Sequence, residues 1–160
     1  MWLDRLSLSG DVQADRRYHG GPEQAVYLYS HEYYARWRGV LEREDLSPGS
    51  FGENFTTEGI LEETTRVGDA FRVGGAVVAV TRPRAPCFKL GLRVGGPGFV
   101  REFLESGRLG FYLRVLEEGE VAAGDAIERV ASDPAQPTIA AVIEKLDRRE
   151  ARLESPRRGA

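Results

Sequence analysis

The residues best suited to chemistry lie in the run Arg82-Pro83-Arg84-Ala85-Pro86-Cys87-Phe88-Lys89. Each proline fixes its own φ and biases the residue before it away from helix, so the run is extended. Cys87 is thereby presented at a stiff strand exit, between Arg84 and Lys89. Positive charge near a thiol lowers its pKa and favours the thiolate, the form that ligates metals and attacks electrophiles. A lone cysteine is often an inert core residue, but charged, proline-rich flanks argue for a ligating or reactive one.

Three other clusters carry polar groups on glycine-rich loops, where a scaffold can aim them. Asp15 is followed by His19-Gly20-Gly21, in which paired glycines let backbone N–H groups approach a ligand and His19 can donate or accept. A turn with a surface histidine explains the same residues. Pro48-Gly49-Ser50-Phe51-Gly52-Glu53-Asn54 offers a carboxylate and an amide, and the plain alternative is that Glu53 satisfies nearby backbone donors. Ser106-Gly107-Arg108-Leu109-Gly110 places Arg108 just past a helix end, where guanidinium can fork onto a phosphate. Arg114, within a strand, is explained by an internal salt bridge.

The elements that must position these loops are short. The runs 24–29, 67–73, 76–81, 111–116 and 125–130 read as strands, and Gly74-Gly75 joins two of them as a hairpin. Gly-Asp recurs at Gly10-Asp11, Gly68-Asp69 and Gly124-Asp125, a shared turn chemistry rather than a repeat architecture. Ser30 can cap a helix over 31–44, with Tyr34, Trp37, Val40 and Leu41 on one side. Pro97 opens a second helix that stops at Gly107. Ile139, Val142, Ile143 and Leu146 stripe a third, and the tail after Leu153 is expected to fray. Many short strands with glycine turns and peripheral helices predict a mainly β fold, a barrel.

The chain has 160 residues, one domain's worth, with a formal charge of -3 that argues against coating a nucleic acid polymer. No apolar run approaches a membrane span, and the first residues lack a signal-peptide core. One cysteine forms no internal disulfide, and with two histidines it makes a four-ligand structural zinc site a poor fit. The expected compartment is the cytoplasm.

Taken in order, Gly-Asp-Val-Gln-Ala-Asp, His-Gly-Gly, Ala-Val-Tyr, Pro-Gly-x-Phe-Gly-Glu-Asn, Val-Gly-Asp, Arg-Pro-Arg-x-Pro-Cys and Gly-Arg-x-Gly-Phe-Tyr-Leu-Arg-Val-Leu resemble a MOSC domain. This is the C-terminal domain family of molybdenum cofactor sulfurases, and the likeness is greatest to its bacterial YiiM-type members. It runs from about Ser9 to Val130, and type, order and spacing of the motifs all agree. Against the YiiM-type pattern, most of the stretch upstream of the first Gly-Asp is missing and the C-terminal helical portion is short.

The resemblance implies a closed β-barrel of the pyruvate-kinase-barrel type over 1–132, with a short helical extension over 133–160. It implies a molybdenum cofactor (molybdopterin) site in which Cys87 is the metal ligand, a soft thiolate suited to that metal. Arg82, Arg84 and Arg108 would face the cofactor's phosphate, with Asn54, Gly20, Gly21 and Asp15 as further cofactor contacts. The implied activity is reduction of N-hydroxylated purines or amidoximes, with Glu53 or His19 delivering protons. Electrons would come from a separate flavin or iron–sulfur reductase, because no motif for a second redox centre is present. A different class of function fits the same residues: a sulfur- or cofactor-carrier module, with Cys87 as a persulfide carrier. Neither reading calls for a membrane or a nucleic acid partner, and both allow a homodimer.

Overall fold

The computed structural model of the chain describes residues 1–6, 21–85, 94–96 and 98–154. Strands dominate it. β1 (Trp2–Leu3) pairs with β7 (Gly119–Glu120) as a small antiparallel ribbon. The other six form one sheet in the order β3-β2-β6-β5-β4-β8. In chain order these are β2 (Val26–Ser30), β3 (Phe55–Thr57), β4 (Ala70–Val73), β5 (Ala76–Pro83), β6 (Phe111–Glu117) and β8 (Ile127–Ala131).

Local sequence explains much of this. β4 and β5 pair antiparallel with Val73 opposite Ala76, so Gly74-Gly75 makes the hairpin, Gly74 adopting φ 55°. Alternation along β6 buries Phe111, Leu113 and Val115 and exposes Arg114. Two Gly-Asp turns share one geometry. Gly68 and Gly124 have φ near 84° and 90°, and the aspartate after each donates its N–H to the carbonyl three residues back. Each aspartate also accepts the N–H of that same residue: Arg66 N–H to Asp69 at 2.9 Å and Ala122 N–H to Asp125 at 2.8 Å. A positive φ at the third turn position is what glycine supplies there.

The closed barrel is not what forms. Among the described residues β3 and β8 are the two edges of the sheet and do not pair, so it is a curled half-barrel. Closure needs matched edge strands; here β3 has three residues and pairs parallel with β2, while β8 is largely exposed. The curl has a local cause. β5–β6 pairing shifts register between Val77 and Val78 and between Val80 and Pro83, and such irregularities bend and twist a strand.

Helices cover the sheet. The first helical stretch is shorter than its pattern suggested: a 3-10 turn over His31–Tyr33 and then α1 (Tyr34–Leu41), ended by Glu42 in the left-handed region at φ 53°. Ser30 does not cap it, because its hydroxyl donates instead to the Ile60 carbonyl at 2.5 Å. Tyr34 and Trp37 are buried as expected, but Val40 is exposed. α2 (Phe99–Ser106) stops at Gly107, φ 68°, whose N–H returns to the Leu104 carbonyl at 3.2 Å. α3 (Ile139–Glu154) inserts Ile139 and Ile143 into the same core as the strands. Pro97 and the tail beyond Glu154 lie outside the described residues. No helix among those described is long and apolar enough to cross a membrane.

An aromatic cluster fills the space between α1, α2 and β2. Tyr29 stacks on Phe51 with ring centroids 4.8 Å apart, and Trp37 meets Phe99 edge-on at 5.2 Å. Such pairs add about 0.5–1.5 kcal/mol each beyond the area they bury.

Candidate functional site

Tyr27 and Tyr29 stand two residues apart on β2 and therefore project to one face. Tyr27 Oη donates to the Leu109 carbonyl at 2.5 Å, and Tyr29 Oη to the Arg108 carbonyl at 2.9 Å. Trp37 Nε1 in turn donates to Tyr29 Oη at 2.8 Å. Two consecutive carbonyls of the loop after α2 are thus pinned to one strand. Burial pushes both tyrosine hydroxyls well above their usual pKa, so they act as neutral donors.

The Gly-Glu-Asn loop is tied to the same residue. Asn54 N–H donates to the Tyr27 carbonyl at 2.9 Å, and Tyr27 N–H donates to Asn54 Oδ1 at 2.7 Å. The start of the cysteine loop joins them. Arg84 N–H donates to the Gly110 carbonyl at 3.1 Å, its Nη1 donates to the Phe51 carbonyl at 2.5 Å, and its guanidinium lies 4.5 Å from the Tyr27 ring centroid. Loops far apart in sequence, at 51–54, 84 and 108–110, therefore converge on Tyr27.

Gly110 is the point of closest approach. It has φ 71°, and a Cβ there would fall against the Leu28 carbonyl oxygen and 2.9 Å from Tyr27 Oη. Only glycine fits that backbone against that strand.

Of the cluster around His19, Gly21 alone is described; it has φ 88° and opens the 3-10 turn Pro22–Gln24. Thr81 Oγ1 donates to the Glu23 carbonyl at 2.8 Å, which brings this turn beside β5 just ahead of Arg82. Asp15, His19, Gly20 and Cys87 lie outside the described residues.

The three arginines sit differently. Arg82 is exposed on β5. Arg84 is half-buried and engaged with Phe51 and Tyr27 as above. Arg108 is half-buried, its guanidinium 5.2 Å from the Tyr33 ring centroid. No carboxylate among the described residues pairs with it. The salt bridge expected for Arg114 does not form among those residues either; its side chain faces out.

Glu53 is buried, and Tyr34 Oη lies 2.8 and 2.9 Å from its two carboxyl oxygens. Burial raises its pKa, while the hydrogen bonds from Tyr34 and from the backbone of Gly49, Phe51 and Glu53 pull the other way. A second buried carboxyl group, Glu62, escaped the sequence reading. It accepts the Gly110 N–H at 3.0 Å and the Tyr33 hydroxyl, and burial raises its pKa as well. Nothing local marks it: an acidic residue beside Glu63 in a polar stretch reads as solvent-facing, and its partners come from residues 29 and 48 positions away.

Comparison with known proteins gives a consistent relationship. The family profile described as MOSC domain matches residues 15–128. YflK of Bacillus subtilis (strain 168), an uncharacterized protein, is 46% identical over 126 residues, 79% of this chain and 57% of that protein. Protein YiiM of Escherichia coli (strain K12) is 35% identical over 133 residues, covering 82% of this chain and 59% of that one. A protein of Gibberella moniliformis named reductase is 38% identical over 112 residues, 68% of this chain and 20% of that one. The chain thus spans less than two thirds of each of these relatives. The crystal structure of YiiM from Escherichia coli superposes with a TM-score of 0.78 at 28% identity, over 96% of this chain and 76% of that one.

Proposed function

The chain belongs to the MOSC domain family, and from that premise we propose that it binds the molybdenum cofactor and reduces N-hydroxylated compounds with electrons from a separate reductase. The observation that carries this reading is Arg108. Its backbone is pinned to β2 and its guanidinium lies over Tyr33 with no carboxylate partner among the described residues. A half-buried cation so placed suits an anion that arrives from outside, and the forked donors of arginine suit a phosphate.

The remaining residues divide the work. Arg108 and Arg82 hold the phosphate of the cofactor, and Arg84 holds the loop leading to Cys87. Gly20 and Gly21 offer backbone donors, and Asp15 and Asn54 border the ligand. Cys87 supplies a soft thiolate to the metal. When bound, the cofactor supplies the two-electron chemistry that no side chain of this protein can. Glu53, whose burial favours the protonated acid, and His19 deliver protons to the oxygen leaving the substrate. Substrates of this kind are N-hydroxylated purines and amidoximes. The fungal relative named reductase supports the reaction class.

Molybdenum per chain, measured after purification from a host that makes the cofactor, tests the reading. Close to one metal per chain supports it. A chain free of molybdenum but carrying a persulfide on Cys87 would replace it with a sulfur-carrier role.

A further inference from the structure

We infer that Glu62 is the positioning residue for Arg108, fixing both the loop that carries this arginine and the ring on which its guanidinium rests. The inference builds on the proposal that Arg108 meets the phosphate of the ligand.

Glu62 is 1% exposed and uses its two carboxyl oxygens on two different elements. Oε1 accepts the Gly110 N–H at 3.0 Å, two residues beyond Arg108. Oε2 accepts the hydroxyl of Tyr33, the residue whose ring centroid lies 5.2 Å from Arg108 Cζ. The main chain of Glu62 is anchored in turn, its carbonyl accepting the Ala140 N–H at 3.0 Å in the first turn of α3. One residue therefore links α3, through its carbonyl, to the loop after α2 and the turn that precedes α1, through its side chain.

The other contacts that hold Arg108 are made by its backbone, and none among the described residues uses its guanidinium N–H groups. Its N–H donates to Ser106 Oγ at 3.1 Å, and its carbonyl accepts from Tyr29. A ring beneath a guanidinium sets its plane without using its N–H donors, so these stay available to a ligand. A ring free to swing would not set that plane, and the Tyr33 ring is tethered by Glu62. Burying a carboxyl group is costly unless its oxygens are used, and here both are. Leucine would fill the volume but supply neither acceptor.

The test uses 15N-labelled protein and inorganic phosphate as the probe. The heteronuclear NOE of the Arg108 Nε–H reports how firmly the guanidinium is held, and a phosphate titration reports affinity. Tyr33→Phe keeps the ring and cuts its tether. Glu62→Leu keeps most of the volume and removes the acceptors for both Gly110 and Tyr33. Both should lower the Arg108 Nε–H NOE and weaken phosphate about tenfold, the size expected for a misplaced charge-assisted contact. Ser132→Ala, which removes a 2.5 Å hydrogen bond from buried Asp69, controls for stability loss alone and should change neither reading. Wild-type NOE and affinity in both variants, where Arg108→Ala abolishes binding, would overturn the positioning role while keeping the phosphate reading. If Arg108→Ala binds phosphate as the wild type does, the phosphate reading fails, and the NOE alone decides whether Glu62 positions the guanidinium.

Discussion

Tyr33 and Tyr34 are neighbours in the chain, yet each donates its hydroxyl to a different buried carboxyl group, Glu62 and Glu53 respectively. They straddle the change from 3-10 turn to α1, so their side chains leave the backbone in different directions. One dipeptide thereby ties down the loop around Arg108 and the Gly-Glu-Asn loop together. Burial is the largest influence on both carboxyl groups and raises both pKa values.

A stability dependence on pH follows. In the unfolded chain these glutamates ionise at about 4.3. Above that pH the native state keeps protons that the unfolded state has released, so stability falls as pH rises. The contribution is fully present below about 4.3 and is lost as pH rises through the folded-state values. Urea unfolding of the wild type and of Glu62→Gln should show the wild type's advantage shrinking from pH 4 to pH 7. An advantage that grows with pH would mean that the carboxylate, and not the acid, is what the fold favours.

Gly110→Ala should destabilise the protein by about 2–4 kcal/mol, measured by denaturant unfolding. The added methyl would meet the Leu28 carbonyl oxygen and the Tyr27 ring, and alanine would be strained at φ 71°. Because Leu28 lies in a buried strand, the backbone has little room to yield. A change below about 0.5 kcal/mol, the usual scale for surface positions, would contradict this packing.

These features differ in how far sequence could reveal them. The Gly74-Gly75 hairpin, the Gly-Asp turns at 68–69 and 124–125 and the end of α2 at Gly107 are set by residues within a few positions of each other and are legible in the sequence, while Gly10-Asp11 lies outside the described residues. The strand β3 is not legible there: Phe55 and Thr57 acquire their pairing from β2, some 27 residues earlier, and short-range alternation carries no trace of it. The resemblance implies a closed barrel where a half-barrel forms, since closure depends on how distant edges meet. Surrounding glycines mark Glu53 in the sequence; nothing marks Glu62, whose burial comes from Tyr33, Gly110 and α3.

Arg82 and Arg84 should separate cleanly. Arg84→Ala loses the hydrogen bond to the Phe51 carbonyl and the contact with the Tyr27 ring, and should cost about 2 kcal/mol of stability. Arg82→Ala, at an exposed position, should stay within about 0.5 kcal/mol of the wild type. If Arg82 holds the cofactor's phosphate, the same variant should nevertheless emerge from purification with less molybdenum. Unchanged metal content in Arg82→Ala would remove it from the proposed site.

Cys87→Ser should unfold at the same denaturant concentration as the wild type, since the two residues are nearly isosteric and prolines stiffen the flanks. It should lose molybdenum, because a neutral hydroxyl is a hard and weakly ionised donor. Metal analysis and denaturant midpoints on one preparation decide the matter. Full molybdenum content in the serine variant would exclude the thiolate as the ligand.

The electron supply gives the most demanding prediction. Iron–sulfur clusters need several protein ligands, and this chain has one cysteine. Nor does it contain a Gly-x-Gly-x-x-Gly turn of the kind that seats nicotinamide or flavin dinucleotides. Reduced viologen, a low-potential dye, should therefore support loss of an N-hydroxylated purine by the metal-loaded protein, whereas NADH or NADPH alone should not. Adding a flavin or iron–sulfur reductase should restore the use of a nicotinamide. Turnover with NADPH and no other protein would reveal a cofactor site of another kind in this chain. If the dye supports no turnover at full metal loading, the carrier role takes precedence, and Cys87 should then be sought as a persulfide by mass spectrometry.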